Sequence, residues 1–275
     1  MKTESKGHNL TAEVNNFHVS YDDVGEGRIP IIFLHGFPFD KSMWRKQLEF
    51  LQASYRVIAY DSRGFGKSYD EESALSIDIL AEDLIAFMDK LHLEKAIVCG
   101  FSMGGFITLN ALKRFPQRFE ALILCDTQCI ADTAEVKAKR NAAIDDITAN
   151  GALDFNEGFI KRVFHKDSLL NKKELVVKLR SVVYATSHHS LIRGLTALAE
   201  RTETCSTLSA IHIPTMIICG REDEVTPLAQ SESMHAAIKG SLLCIIENAG
   251  HVANVEQPDE FNNYLHEFLR SVSDR

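Results

Sequence analysis

Short runs of almost uninterrupted apolar residues recur along this chain, separated by segments with helical spacing. Pro30–Leu34, Arg56–Tyr60, Ala96–Cys99, Ala121–Cys125, Thr215–Cys219 and Leu242–Ile246 read as strands. A strand with one wet face alternates apolar and polar residues. Continuous runs instead suit strands covered on both faces, as in a parallel sheet flanked by helices. Between them, Ile77–Leu91 places Leu80, Leu84, Phe87, Met88 and Leu91 at helical spacing, with Glu82, Asp83, Asp89 and Lys90 on other faces. Ser76 is suited to cap that helix. The alternation predicts an α/β architecture with a mostly parallel sheet. Glu13–Val24 alternates more strictly and predicts an antiparallel edge hairpin.

The pattern breaks after Cys125-Asp126. Across 127–208 no strand-like run occurs. Val136–Ala149, Phe155–Phe164, Lys173–Tyr184 and Leu191–Arg201 are amphipathic at helical spacing, and the strand–helix alternation resumes at Ile211. The segment is too apolar for a disordered linker and predicts a helical insertion over the sheet. Residues 1–126 and 209–275 are then the core, and 127–208 a separate unit. A chain of 275 residues, 45% hydrophobic, can bury one large core and carry such an insertion.

A net charge of −8 without long like-charge runs argues against nucleic acid and anionic membrane as partners. No window approaches the roughly 18 apolar residues of a membrane span, and Met1–Leu10 lacks the apolar stretch of a signal peptide. Cys99, Cys125, Cys219 and Cys244 lie in strand-like runs, Cys129 and Cys205 stand apart, and none forms a C-x-x-C pair. All six are therefore expected as reduced thiols of a cytoplasmic protein, a monomer or homodimer.

Chemistry concentrates at the end of the third parallel run. Gly100-Phe101-Ser102-Met103-Gly104 places a serine between a strand and the helical Gly105–Lys113, the pattern of a sharp turn that exposes a nucleophilic hydroxyl. A serine hydroxyl needs a base, and the base needs an orienting acid. Asp223, in Gly220–Pro227, follows the strand ending at Cys219, and His251 follows the strand ending at Ile246. All three lie past the carboxyl ends of strands, where open α/β sheets place their sites. Asp126 is a rival acid. The backbone N–H groups of Met103 and of Phe37, in His35-Gly36-Phe37-Pro38, are candidate donors to an oxyanion. His35 is read as bracing that loop. Other motifs fail. Asp61–Ser68 lacks the first glycine of a phosphate loop, neither Gly64-Phe-Gly66 nor Gly25-Glu-Gly27 continues to a dinucleotide fingerprint, and His188-His189 are adjacent and so face apart on a helix.

Together, His35–Pro38, Asp61–Ser68, Gly100–Gly105, Gly220–Pro227 and Gly250-His251 resemble the α/β-hydrolase superfamily over nearly the whole chain. The resemblance implies the α/β-hydrolase fold: a mostly parallel eight-stranded sheet flanked by helices, with 127–208 as a helical cap inserted after the sixth strand. It carries nucleophile, acid and base onto Ser102, Asp223 and His251. Leu124–Thr127, Glu135-Val136 and the cap's helical character are most similar to the 3-oxoadipate enol-lactonase and carboxylesterase branch. The implied reaction is hydrolysis of a small carboxylic ester or lactone through an acyl-enzyme, without cofactor or metal. A carbon–carbon bond hydrolase, a perhydrolase, or a small-molecule sensor that keeps the same residues stays open. Phe101, Phe159, Val225 and Val252 are the candidate substrate contacts. Phe155, Phe159, Phe164 and Tyr184 are read as cap core more than as pocket wall.

Overall fold

The computed structural model describes residues 6–70 and 73–273. Met1–Ser5, the start of the stretch considered for a leader, lies outside the described residues. The strands are β1 (Gly7–Val14), β2 (Phe17–Val24), β3 (Ile31–Leu34), β4 (Val57–Tyr60), β5 (Ala96–Phe101), β6 (Phe119–Cys125), β7 (Thr215–Gly220) and β8 (Leu242–Ile246). They form one eight-stranded sheet in the order β1-β2-β4-β3-β5-β6-β7-β8. β1 and β2 make the antiparallel edge hairpin, turned by Asn15 and Asn16 at φ 45° and 66°, a backbone region that asparagine tolerates. β2 runs antiparallel to β4, and from β4 to β8 every neighbour is parallel.

The apolar runs are continuous because each strand feeds two cores. Ile32, Leu34, Ile58, Tyr60, Val98, Leu122 and Leu124 enter one, which α2 (Ile77–Lys90) and α3 (Met103–Arg114) cover. Ile31, Phe33, Val57, Ala59, Ile97, Cys99, Ala121 and Ile123 enter the other, beneath α1 (Arg45–Leu51) and the C-terminal helix Pro258–Ser273. The edge corrects the reading for Leu242–Ile246. β8 pairs with β7 alone, and Leu242 is 50% exposed with Leu243, Cys244 and Ile245 half-buried.

Five α-helices lie between β6 and β7: α4 (Ala134–Asn150), α5 (Leu153–Val163), α6 (Lys166–Asn171), α7 (Lys173–Ala185) and α8 (His188–Glu200). Because β6 and β7 are neighbours, the insertion leaves and rejoins the sheet at one place. That proximity corrects a second expectation. Cys129 and Cys205, 76 residues apart in sequence, are joined by a disulfide with Cα atoms 4.8 Å apart. Cys99, Cys125, Cys219 and Cys244 are free thiols. No helix among the described residues is long and apolar enough to cross a membrane.

Candidate active site

Ser102 sits between β5 and α3 at φ 51° and ψ −114°, a left-handed conformation that costs a residue with a Cβ. Its neighbours hold it there by leaving no room. A Cβ on Gly100 would stand 2.4 Å from the Gly104 carbonyl oxygen, and one on Gly104 would stand 2.5 Å from that of Leu34. Strand and helix can meet this tightly only through glycine. The Ser102 N–H donates to the Cys125 carbonyl, which ties the turn to β6.

Three of the residues singled out in sequence form one hydrogen-bonded chain. His251 Nε2 is 2.9 Å from Ser102 Oγ, and His251 Nδ1 is 2.8 Å from Asp223 Oδ2. A carboxylate only accepts, so Nδ1 carries the proton and Nε2 accepts from the serine hydroxyl. Asp223 Oδ1 accepts from the N–H groups of Val225 and Thr226, and Oδ2 from the Thr226 hydroxyl. Burial alone would raise the Asp223 pKa. The neighbouring His251 and the bonds from His251 and Thr226 outweigh it and hold the carboxyl below its ordinary value. The loops carrying acid and base are paired: Glu222 N–H donates to the Ala249 carbonyl, and Ala249 N–H donates to the Glu222 carboxylate.

Asp126 is placed differently. It is fully buried, and its Oδ1 accepts from Gly220 N–H, not from the histidine. Burial, then the nearby charge of Asp223, pushes its pKa well above the ordinary value. His35 is likewise committed elsewhere. Nε2 accepts from Ser62 N–H, so Nδ1 bears the proton and donates to the Gly36 carbonyl, and burial lowers the ring's pKa. The N–H groups of Phe37 and Met103 find no protein acceptor among the described residues.

Above Ser102 and His251 lies a cavity of about 520 Å³. Phe37, Phe106, Leu195, Leu198 and Val225 line it together with Phe155 and Phe159 of α5. Of the candidate substrate contacts, Phe159 and Val225 are among these lining residues. Phe101 and Val252 are not among the lining residues: both are fully buried, the Phe101 ring lying 4.9 Å from that of His251. Phe164 is buried, and Tyr184 is a surface residue bonded to Glu157. Sequence reasoning missed the polar part of the wall: Lys139, Arg140, Asp154, Arg162 and Glu224. On exposed helix faces such charges carry no signal of their own. Lys139 pairs with Glu135 and Arg140 with Asp132.

A mostly parallel sheet with a serine on the β5–α3 turn, answered by a histidine and an aspartate past β8 and β7, defines the α/β-hydrolase class. A family model described as alpha/beta hydrolase fold matches residues 29–258, and the chain belongs to that family. It is 31% identical over 268 residues to 3-oxoadipate enol-lactonase 2 of Acinetobacter baylyi, covering 95% of this chain and 96% of that one. Among solved structures it resembles a thermophilic esterase from Thermogutta terrifontis, with a TM-score of 0.91, 29% identity and 96% and 98% coverage. It also resembles the enol-lactonase from Burkholderia xenovorans LB400, with a TM-score of 0.87, 27% identity and 95% and 100% coverage.

Proposed function

We propose that the chain is a serine hydrolase cleaving a small carboxylic ester or lactone through an acyl-enzyme. The observation that carries this is the chain of contacts Ser102–His251–Asp223, 2.9 and 2.8 Å, at the floor of the cavity. Ser102 Oγ attacks the carbonyl carbon while His251 Nε2 takes the hydroxyl proton. The carbonyl oxygen becomes an oxyanion that accepts from Phe37 and Met103 N–H. The intermediate collapses, the carbon–oxygen bond to the alcohol breaks, and His251 returns the proton to the leaving alkoxide. Water then attacks the acyl-serine carbonyl carbon, losing a proton to the same nitrogen; this intermediate collapses, the bond to Ser102 Oγ breaks, His251 returns that proton to Oγ, and the acid leaves. Asp223 holds the imidazole in the required tautomer and stabilises its charged form. The similarity to an esterase and to enol-lactonases supports an ester bond as the target. The helices of 127–208 act as the cap, and Arg162 in the wall, which forms no ion pair among the described residues, favours a substrate bearing a carboxylate.

The test is a panel of esters, lactones and carbon–carbon-cleavable diketones graded by size and charge. Rapid multiple turnover of an ester or lactone is the expected result. Turnover of a diketone alone would assign carbon–carbon cleavage, and binding with a single slow turnover would assign a sensor.

A further inference from the structure

The insertion contributes none of the groups that react, yet its backbone touches two of the loops that carry them. Gly194 of α8 is buried directly against the Phe37 ring: a Cβ there would stand 2.6 Å from Phe37 Cδ2 and Cε2 and 3.0 Å from Phe65 Cζ. The Thr186 hydroxyl, between α7 and α8, donates to the Pro38 carbonyl at 3.0 Å. On the other side, a Cβ on Gly250 would meet His165 N, Phe164 C and Val163 O at 2.8 to 2.9 Å. The α5–α6 junction thus rests on the residue before His251.

One buried carboxylate fastens that second contact. Glu256 is 1% exposed, and each of its oxygens is used: Oε1 accepts from Gly250 N–H at 2.7 Å, and Oε2 from His165 N–H at 2.9 Å. Lys172, just past α6, donates to the Glu256 carbonyl. Two clamps therefore join the insertion to the floor, one at the Phe37 loop and one at the His251 loop.

We infer that the insertion positions the reacting groups as well as selecting substrate, with Gly194 setting the place of the Phe37 N–H and Glu256 that of His251. The inference rests on the serine-hydrolase reading above. Gly194 and Glu256 are positioning residues: each acts through a neighbour. A misplacement of about 1 Å at a reacting group can lower the rate on the order of 10²-fold.

The experiment follows Ser102 labelling by a small fluorophosphonate, which needs nucleophile, base and oxyanion donors but little of the cavity wall, beside kcat and KM on the best ester. Gly194→Ala is expected to slow labelling and to lower kcat on the order of 10²-fold with KM little changed. Adding Phe37→Leu, which removes the ring but keeps the N–H, is expected to restore much of both. Glu256→Gln keeps the size but faces an NH₂ to one of two N–H donors; it is expected to lower kcat and labelling together. Thr186→Val, which deletes only the hydroxyl donor, guards against misfolding of the others and is expected to slow labelling several-fold. Folded Gly194→Ala and Glu256→Gln proteins labelling at the wild-type rate would overturn the inference, as would Thr186→Val doing so if the others fail to fold. Wild-type protein that takes up no label at Ser102 would instead overturn the hydrolase reading.

Discussion

Ser102, Asp223 and His251 stand on turns that leave β5, β7 and β8, whereas Phe155, Phe159 and Arg162 stand on α5, in the helical insertion. At the floor, strand pairing fixes the backbone, and glycines bring strand and helix within a distance that no Cβ survives. At the wall, side chains of one helix project into open volume and can change while the backbone stays. The difference teaches where each kind of substitution acts. Floor changes should strike all substrates alike, wall changes should sort them.

The strongest attempt to break this contrast is at the floor. Ser102→Ala removes one hydroxyl and should lower kcat on the order of 10⁶-fold on every substrate, as loss of the nucleophile does in another serine hydrolase. Steady-state assays beside a thermal melt check it; retention of a tenth of the activity would remove Ser102 from the reaction. Asp223→Asn should cost on the order of 10⁴-fold, because an amide no longer selects the Nδ1–H tautomer. The rival at the floor sharpens it: a large loss at Asp126→Asn with a small one at Asp223→Asn would exchange their roles.

At the wall, Phe159→Ala should change kcat/KM unequally across acyl sizes, by about 1–3 kcal/mol of discrimination, while fluorophosphonate labelling of Ser102 persists. An equal loss on all substrates would erase the contrast. The smallest effect is expected at Asp126→Asn. Burial first and the charge of Asp223 second raise the folded-state pKa of Asp126, so the fold holds this proton more tightly than the unfolded chain, whose pKa is about 3.9. Wild-type stability therefore falls as pH rises from that value through the raised folded one. Asparagine has no such proton and suits the φ of 43°. Activity should change little, and the melting temperature of the variant relative to wild type should rise from pH 5 to pH 8. Identical pH dependence in the two proteins would show Asp126 ionised in the fold.

The sheet was readable because every central strand feeds two cores, and a continuous apolar run has few other meanings. The residues of the serine–histidine–aspartate chain were readable because turns after strands leave few places for them. Less was readable where the fold, not the local pattern, brings residues together. Cys129 and Cys205 meet only because β6 and β7 are neighbours. Phe101 lies beside the serine in sequence, yet its ring is buried against the His251 ring and does not line the cavity. Arg140 and Arg162 are ordinary charges on helix surfaces until two helices close a cavity between them. Glu256 looks like one more surface carboxylate until Gly250 and His165 converge on it.

The disulfide at the neck changes the topology of the molecule as well as its packing. With Cys129 joined to Cys205, the insertion is a covalent ring threaded into the chain at a single point. A protease that cuts once anywhere inside the ring opens it without releasing a fragment. The nicked protein would keep its full mass on a non-reducing gel and separate into two pieces only when a thiol is added.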